Sequence, residues 1–370
     1  MCSRDDSVSG VLGVGRFVVG LAPVGATTLA FLATMSEKEN HVELGVAIIG
    51  LGIMGTRMMS SLTFSNKFRL VAAWDPNHHA CGVAAVDYPG LQIAKDAASA
   101  IGADGVDIVY IACPPGAHVE YAVMAADAGK AVYCEKPLGV DIAESEQLVH
   151  MIAERQIINA VNFPFAASSS VDVIESELAS GALGEIVGVD LRLHFVPWPR
   201  GWQQEATWLS QRAEGGYVRE VGSHFVFLIE KLFGPAELTD SSVAYPEDDE
   251  ACETLFSANL DCAGLPISMS GTSMGVGPDT VELIIWGSER SIKLDNWVEV
   301  SVTSGGGWEL QEIYGADARQ ENNARFFGDL KNLLHGRPNT IATFADALSV
   351  QRIVESILST DPQHRHDTND

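Results

Sequence analysis

Between residues 45 and about 160, short apolar runs alternate with stretches whose apolar positions recur at helical spacing. The runs 46–49, 68–74, 107–113, 131–134 and 157–161 are short, continuous and strand-like, and Val-Asp-Ile-Val-Tyr-Ile-Ala at 106–112 has the β-branched character of a buried parallel strand. Residues 53–62, 117–128 and 143–155 predict helices, with Gly129 stopping the second. Strand and helix in alternation predict a doubly wound parallel sheet.

After about residue 165 the pattern changes. Residues 171–180 predict a helix ended by Gly181-Ala-Leu-Gly184, and 185–195 alternate as a long strand. A helix over 218–233 is capped by Gly234. From 236 to 303 strands dominate, with turns at Gly264-Leu-Pro and Gly275-Val-Gly-Pro, and helices over 324–335 and 344–358 follow. The expectation is an α/β Rossmann domain at 45–162 and an α+β domain at 163–370. The second domain would carry a large, mostly antiparallel sheet with helices on one face, its terminal helices free to pack back on the first domain. The sheet's other face must meet water or a partner, which makes a homodimer or homotetramer plausible. No internal repeat or low-complexity tract is present.

The strand at 46–49 runs into Gly50-Leu-Gly-Ile-Met-Gly55, and Asp75 ends the next strand, twenty positions after the last glycine. Strand, glycine turn, helix and distant acid form the layout of a dinucleotide-binding unit. Gly50 permits the tight turn, Gly52 lets backbone approach a pyrophosphate, and Gly55 lets the helix pack on the sheet. The first helical N–H groups, at Ile53 and Met54, point where the helix dipole favours phosphate. A carboxylate at Asp75 can accept both adenosine ribose hydroxyls and repels a 2′-phosphate, so NAD is favoured over NADP.

The chain has 370 residues, 46% hydrophobic and 19% charged, enough for two domains. Its net charge of −26 argues against nucleic acid and anionic membranes, which need basic patches. Six cysteines include no Cys-x-x-Cys pair, and no Cys/His cluster has zinc spacing, so no metal site is expected. Cys113 and Cys134 read as buried thiols in a reducing, cytoplasmic compartment. His78–His79 and the tail histidines His364 and His366 read as exposed loop residues. The leader 1–44 holds an apolar, glycine-rich stretch broken by Arg16, with Asp5 and Asp6 at its start. It is read as disordered or non-native, with export left open.

Three further segments carry candidate chemistry. Ala112-Cys-Pro-Pro-Gly-Ala-His118 closes a strand at the sheet edge that lines the ligand crevice. Cys113 and Pro114 would lie beside the cofactor; His118 has two uses open, beside the cofactor or packing the following helix. Glu135-Lys136-Pro137 closes the next strand at the same edge. There Lys136 either holds a substrate oxygen near the nicotinamide or pairs with Glu135 on the surface. In Gly215-Gly-Tyr-Val-Arg-Glu220-Val-Gly-Ser-His224, Glu220 and His224 stand four apart and would share a helix face, so the carboxylate can orient the imidazole.

These motifs, in this order, resemble the Gfo/Idh/MocA family, the glucose–fructose oxidoreductases and inositol dehydrogenases. The similarity runs from about 45 to 358, with Glu-Lys-Pro its most specific mark. The resemblance implies NAD-dependent hydride transfer at a secondary alcohol or ketone of a sugar, inositol or related polyol. It puts Lys136, Glu220 and His224 at the substrate hydroxyl. The chain departs from the family pattern at three places. The helical acid is usually aspartate and here is Glu220; an acid often stands where Phe227 is; and an arginine that meets substrate is replaced within Asn162-Phe-Pro-Phe165. Asn162 remains a substrate candidate, as does Trp202, which lies in Val196-Pro-Trp-Pro-Arg-Gly-Trp202. That segment resembles the loop covering substrate, although core packing of its aromatics stays open. The resemblance also leaves room for a non-catalytic NAD-binding sensor and for NAD-assisted glycoside cleavage.

Overall fold

A computed structural model of the chain describes residues 43–315 and 317–359. The expectations for Cys2, His364, His366 and nearly all of the leader fall outside the described residues.

The first layer runs β1 (Leu44–Ile49), α1 (Ile53–Thr63), β2 (Phe68–Trp74), α2 (His78–Asp87), β3 (Gln92–Ile93), α3 (Ala97–Ile101), β4 (Ile108–Ile111), α4 (His118–Asp127), β5 (Ala131–Cys134), α5 (Ile142–Arg155) and β6 (Asn159–Val161). These strands form one six-stranded sheet in the order β3-β2-β1-β4-β5-β6, with every pairing parallel. All six residues of β1 are buried, as a central strand covered on both faces requires. The strand order reverses between β1 and β4, so the crevice for a ligand opens there, at the carboxyl ends of the strands. The turn after β1 and the loops after β4, β5 and β6 all lie on that edge.

His78 and His79 are exposed, but they open helix α2 rather than sit in a loop. The Asn77 side chain accepts the His79 N–H and starts the helix there. The alanine-rich helices α2 and α3 show little periodic contrast, which is why the hydrophobic pattern does not reveal them.

The second layer follows with α6 (Ser169–Ser180), β7 (Ile186–His194), a π-helical turn at Val218–Gly222, and α7 (Ser223–Phe233). Then come β8 (Glu237–Ala244), β9 (Leu255–Cys262), β10 (Leu265–Thr272), β11 (Thr280–Gly287), β12 (Ser291–Asp295), β13 (Glu299–Thr303) and β14 (Glu309–Leu310). The sheet order is β14-β13-β12-β11-β7-β10-β9-β8, antiparallel except where β7 meets β10. The β9–β10 turn is tighter than the spacing suggests: Ala263 and Gly264 make it with positive φ, while Leu265 and Pro266 already belong to β10. Burial alternates residue by residue along β9 and β10, so one face packs on helices and the other is open. The open face is largely Ser, Thr, Asn and charged side chains on β9, β10 and β7, with Trp286 at one flank.

The chain closes with α8 (Ala318–Leu334) and α9 (Phe344–Leu358). Helix α8 returns to the first sheet: Phe326, Phe327, Leu330 and Leu334 share a core cluster with Leu44, Ile48, Phe68 and Tyr133. Helix α9, started by a Thr343/Asp346 capping box, lies in the other core cluster with α6, α7 and the second sheet. Helix α7 is buried on every side from Ser223 to Ile229. The residues at its start are therefore held between the layers. No helix among the described residues is long and apolar enough to cross a membrane.

Candidate active site

At the glycine turn, each glycine meets a different constraint. Gly50 has φ +97, and a Cβ there would come within 2.7 Å of the Ala112 and Cys113 backbone. A Cβ on Gly55 would overlap the Gly50 carbonyl oxygen, so α1 packs directly on the turn. Around Gly52 nothing lies within 4 Å of a built Cβ. No side chain caps α1 and no acid stands in its first turn, so the Ile53 and Met54 N–H groups face open space. The Asp75 carboxylate accepts the Leu51 N–H at 2.6 Å and the Asn77 N–H at 2.7 Å. It thereby sits against the turn, at the end of the strand after the helix. These features fit a bound dinucleotide: an open helix N-terminus, room over Gly52, and an acid beside it.

The neighbouring loops divide into those that face the crevice and those that brace it. His118 is buried, with Nδ1 2.8 Å from the Pro137 carbonyl oxygen and Nε2 2.9 Å from that of Cys113. Burial lowers its pKa, opposed by those two carbonyls. The ring staples the β4 and β5 loops together and offers no free nitrogen to a cofactor, correcting one of its two expected uses. Glu135 is also turned inward. Its Oε1 accepts from the Tyr110 hydroxyl and from Asn162 Nδ2, the latter at 2.7 Å. Burial raises the Glu135 pKa against the pull of those hydrogen bonds. The side chains of Glu135 and Asn162, expected at cofactor and substrate, thus meet each other. Cys113, partly buried, has its thiol pushed up to about 12 by burial, so it stays protonated. Cys113 and Pro114 stand on the loop facing the glycine turn.

Lys136 points the other way, into the gap between the layers. Its Nζ donates to the Glu220 carbonyl at 2.9 Å and forms an ion pair with Glu220 Oε2. The pair is largely buried, with side-chain exposures of 7% and 17%, so removing either partner strands a charge. Neither the surface pairing of Lys136 with Glu135 nor the pairing of Glu220 with His224 is present. The reason is the π-helical turn at Val218–Gly222, which breaks α-helical phase between positions 220 and 224. Glu220 Oε1 instead accepts from Gln203 Nε2 at 2.9 Å and lies 4.0 Å from Arg200. His224 packs edge-on against Phe163 at 5.7 Å and Trp297 at 5.2 Å. Its Nδ1 is enclosed without a partner, leaving Nε2 for a ligand. Burial, then the charges of Lys136 and Arg200, hold its pKa well below the usual histidine value, so the ring is neutral at pH 7.

Several supporting residues escaped the sequence reading. Glu253, 1% exposed, accepts the Val218 N–H at 2.8 Å and so fastens the helix start that carries Glu220 and His224. Gly216, φ +97, leaves room for it: a Cβ there would fall on the Glu253 carboxylate. Arg219 reaches across to α9 with a two-pronged bond to Glu355, at 2.6 and 2.7 Å. Trp297 stands at the β12–β13 turn with φ 75 and Asn296 before it with φ 49, costly backbone for a bulky residue. Phe163, in the Asn162–Phe165 run, and Phe227 stack on each other at 4.6 Å. Trp202 is 46% exposed and has two guanidinium groups over its ring, Arg57 at 4.1 Å and Arg200 at 4.9 Å. Of these, Gly216, Phe227 and the segments 162–165 and 196–202 stood out in the sequence; Glu253, Trp297 and Glu355 carried no local signal.

Residues 44–163 match the model of the oxidoreductase family, NAD-binding Rossmann fold, and residues 175–365 match that family's C-terminal alpha/beta domain. The chain belongs to the Gfo/Idh/MocA oxidoreductase family. An uncharacterized oxidoreductase of Synechocystis sp. is 29% identical over 51% of this chain and 54% of its own length. Levoglucosan dehydrogenase of Pseudarthrobacter phenanthrenivorans is 27% identical over 35% of this chain and 33% of its own. Inositol 2-dehydrogenase of Rhodococcus jostii is 28% identical over 39% of this chain and 40% of its own. The chain thus spans from a third to just over half of these relatives. A solved 3-ketoreductase from Actinomadura kijaniata, crystallised with NADP and TDP-benzene, superposes with TM-score 0.73 at 19% identity, covering 85% and 97% of the two chains. An NAD-binding oxidoreductase from Klebsiella pneumoniae superposes with TM-score 0.73 at 18% identity, covering 85% and 96%. Both share the fold. Family membership accounts for the shared order of glycine turn, Glu-Lys-Pro and helical histidine in this chain.

Two outcomes follow from this geometry. Gly55→Ala costs about 1–3 kcal/mol of stability through overpacking. Gly52→Ala leaves stability within about 0.5 kcal/mol but weakens NAD binding; thermal unfolding and calorimetry check the pair. For Glu253, burial outweighs the Val218 N–H and raises the carboxyl from 4.5 to about 7. The folded protein therefore holds a proton that the unfolded chain has lost, and stability falls as pH rises from about 4.5 through 7. Unfolding across that window should show a fall of at most about 3 kcal/mol from this group, flattened in Glu253→Gln.

Proposed function

We infer that the protein is an NAD-dependent oxidoreductase acting on a secondary alcohol or ketone of a sugar, inositol or related polyol. The observation that carries this reading is the buried Lys136–Glu220 ion pair with the His224 ring near enough to feel the Lys136 charge, in a chain whose β5 loop shares its sheet edge with the glycine turn. NAD, when bound, supplies the hydride acceptor.

The chain's own part is charge and proton handling. Neutral His224 can accept the hydroxyl proton at Nε2 as the alcohol is oxidised. The Lys136 ammonium holds the oxygen and stabilises the negative charge that grows on it. Glu220 balances the ammonium while the site is empty and, with Gln203, keeps it aimed. The Phe163–Phe227 stack and Trp297 keep water from the buried side of the imidazole, which sharpens both effects. Asp75 supports NAD over NADP, because a carboxylate there repels a 2′-phosphate. A homodimer or homotetramer would form through the second sheet's open face, where the exposed Trp286–Trp308 pair offers apolar area.

Following reduced-nicotinamide absorbance with a panel of sugars and inositols tests the reading. Lys136→Ala should lower kcat by about 10²- to 10³-fold, and His224→Ala by about 10²- to 10⁴-fold, with NAD affinity kept. Unchanged turnover in Lys136→Ala contradicts the assignment. Sugar release without net NADH would mark glycoside cleavage instead, and NAD binding without any turnover would mark a sensor. Asp75→Asn keeps an acceptor for the Leu51 N–H but removes the charge. It should narrow the NAD over NADP preference by about tenfold, read from the two dissociation constants.

A further inference from the structure

Arg57 projects from α1 two residues past the glycine motif and is half-buried. Other arginines withdrawn from solvent in this acidic chain hold carboxylates: buried Arg219 with Glu355 and partly buried Arg290 with Glu177. Arg57 has no hydrogen bond and no ion pair among the described residues; its partner is the face of Trp202. Burial, and then the nearby charge of Arg319, act against its protonated form, with Glu220 the acid that opposes them. Against the same indole stands Arg200, 4.9 Å from its centroid. Its Nε is used by Gln203 at 2.8 Å and one terminal nitrogen is 4.0 Å from Glu220, with Asp279 the other acid acting on it. Planar N–H donors therefore remain open on both guanidinium groups. A chain with a charge of −26 has here set two cations beside each other, next to the Lys136–Glu220 pair.

We propose that the substrate of this site carries an anionic group, a carboxylate or phosphate, which Arg57 and Arg200 seat while its hydroxyl meets Lys136 and His224. The proposal rests on the oxidoreductase reading for the hydroxyl end and deepens it to acidic sugars and polyols. Stacking on an indole satisfies no N–H donor, whereas a carboxylate or phosphate accepts two at once from one guanidinium. The arriving anion therefore wins Arg57 from Trp202, and the freed, half-exposed indole is left as a platform for the sugar ring. A neutral polyol offers no such exchange.

The experiment uses the full chain saturated with NAD, with binding measured by calorimetry for matched pairs: D-galacturonate against D-galactose, D-gluconate against D-sorbitol, and D-glucose 6-phosphate against D-glucose. At least one acid should bind about tenfold tighter than its neutral partner, the scale of one charge-assisted guanidinium pair. Arg57→Gln should bring that ratio close to one, and Arg57→Lys, which keeps charge without the planar fork, should give an intermediate ratio. No preference for any acid in the unmodified protein overturns the proposal, as does a preference that survives in Arg57→Gln. Loss of NAD affinity in Arg57→Gln with the acid preference kept would assign the guanidinium to the cofactor's diphosphate, and also overturns it. Acid preference without NADH from any substrate removes the redox reading and leaves the anion seat standing. NADH from neutral polyols without acid preference does the reverse.

Discussion

An ammonium from the edge of one sheet meets a carboxylate from the helix start of the other layer, and the rest of the site is arranged around that contact. The Lys136–Glu220 pair is nearly shielded from water, so neither partner can be left alone without a cost of about 3–5 kcal/mol. It fixes where the β5 loop ends and where the π-helical turn begins. Gln203 and Arg200 gather on the second Glu220 oxygen, and both come from the segment that approaches the crevice from outside.

The longer acid at position 220 and the π-helical turn belong together. Aspartate four residues before the histidine, in an α-helix, would face it; glutamate in a widened turn reaches past it to the lysine. His224 is left to aromatic neighbours, and its low pKa follows from burial and from the two cations nearby. The Phe163–Phe227 stack supplies apolar packing beside that ring.

The rigidity of the helix start comes from further away. Glu253 closes its first N–H, Gly216 clears space for that carboxylate, and the Arg219–Glu355 fork anchors it to α9. The Trp297 backbone pays a conformational cost to hold its indole against His224, a cost that surrounding packing sustains. Tyr110, Glu135 and Asn162 brace the opposite wall, and His118 ties two loops into one edge.

The sequence by itself determined the alternating first layer, the glycine turn with its distant acid, and the strand-rich second layer. Each is written in local periodicity or in residues a few positions apart, and buried parallel strands such as β1 leave little ambiguity. It also brought Lys136, Glu220 and His224 into view, but not their partners. Only the tertiary structure decided that Glu220 answers Lys136, that Glu135 and His118 turn inward, and that Arg57 and Arg200 both meet Trp202. Most of those contacts join segments from 19 to nearly 150 residues apart, and one depends on a single residue of helical phase. The direction a side chain faces is set by what packs behind it, and that information resides in no local stretch of chain.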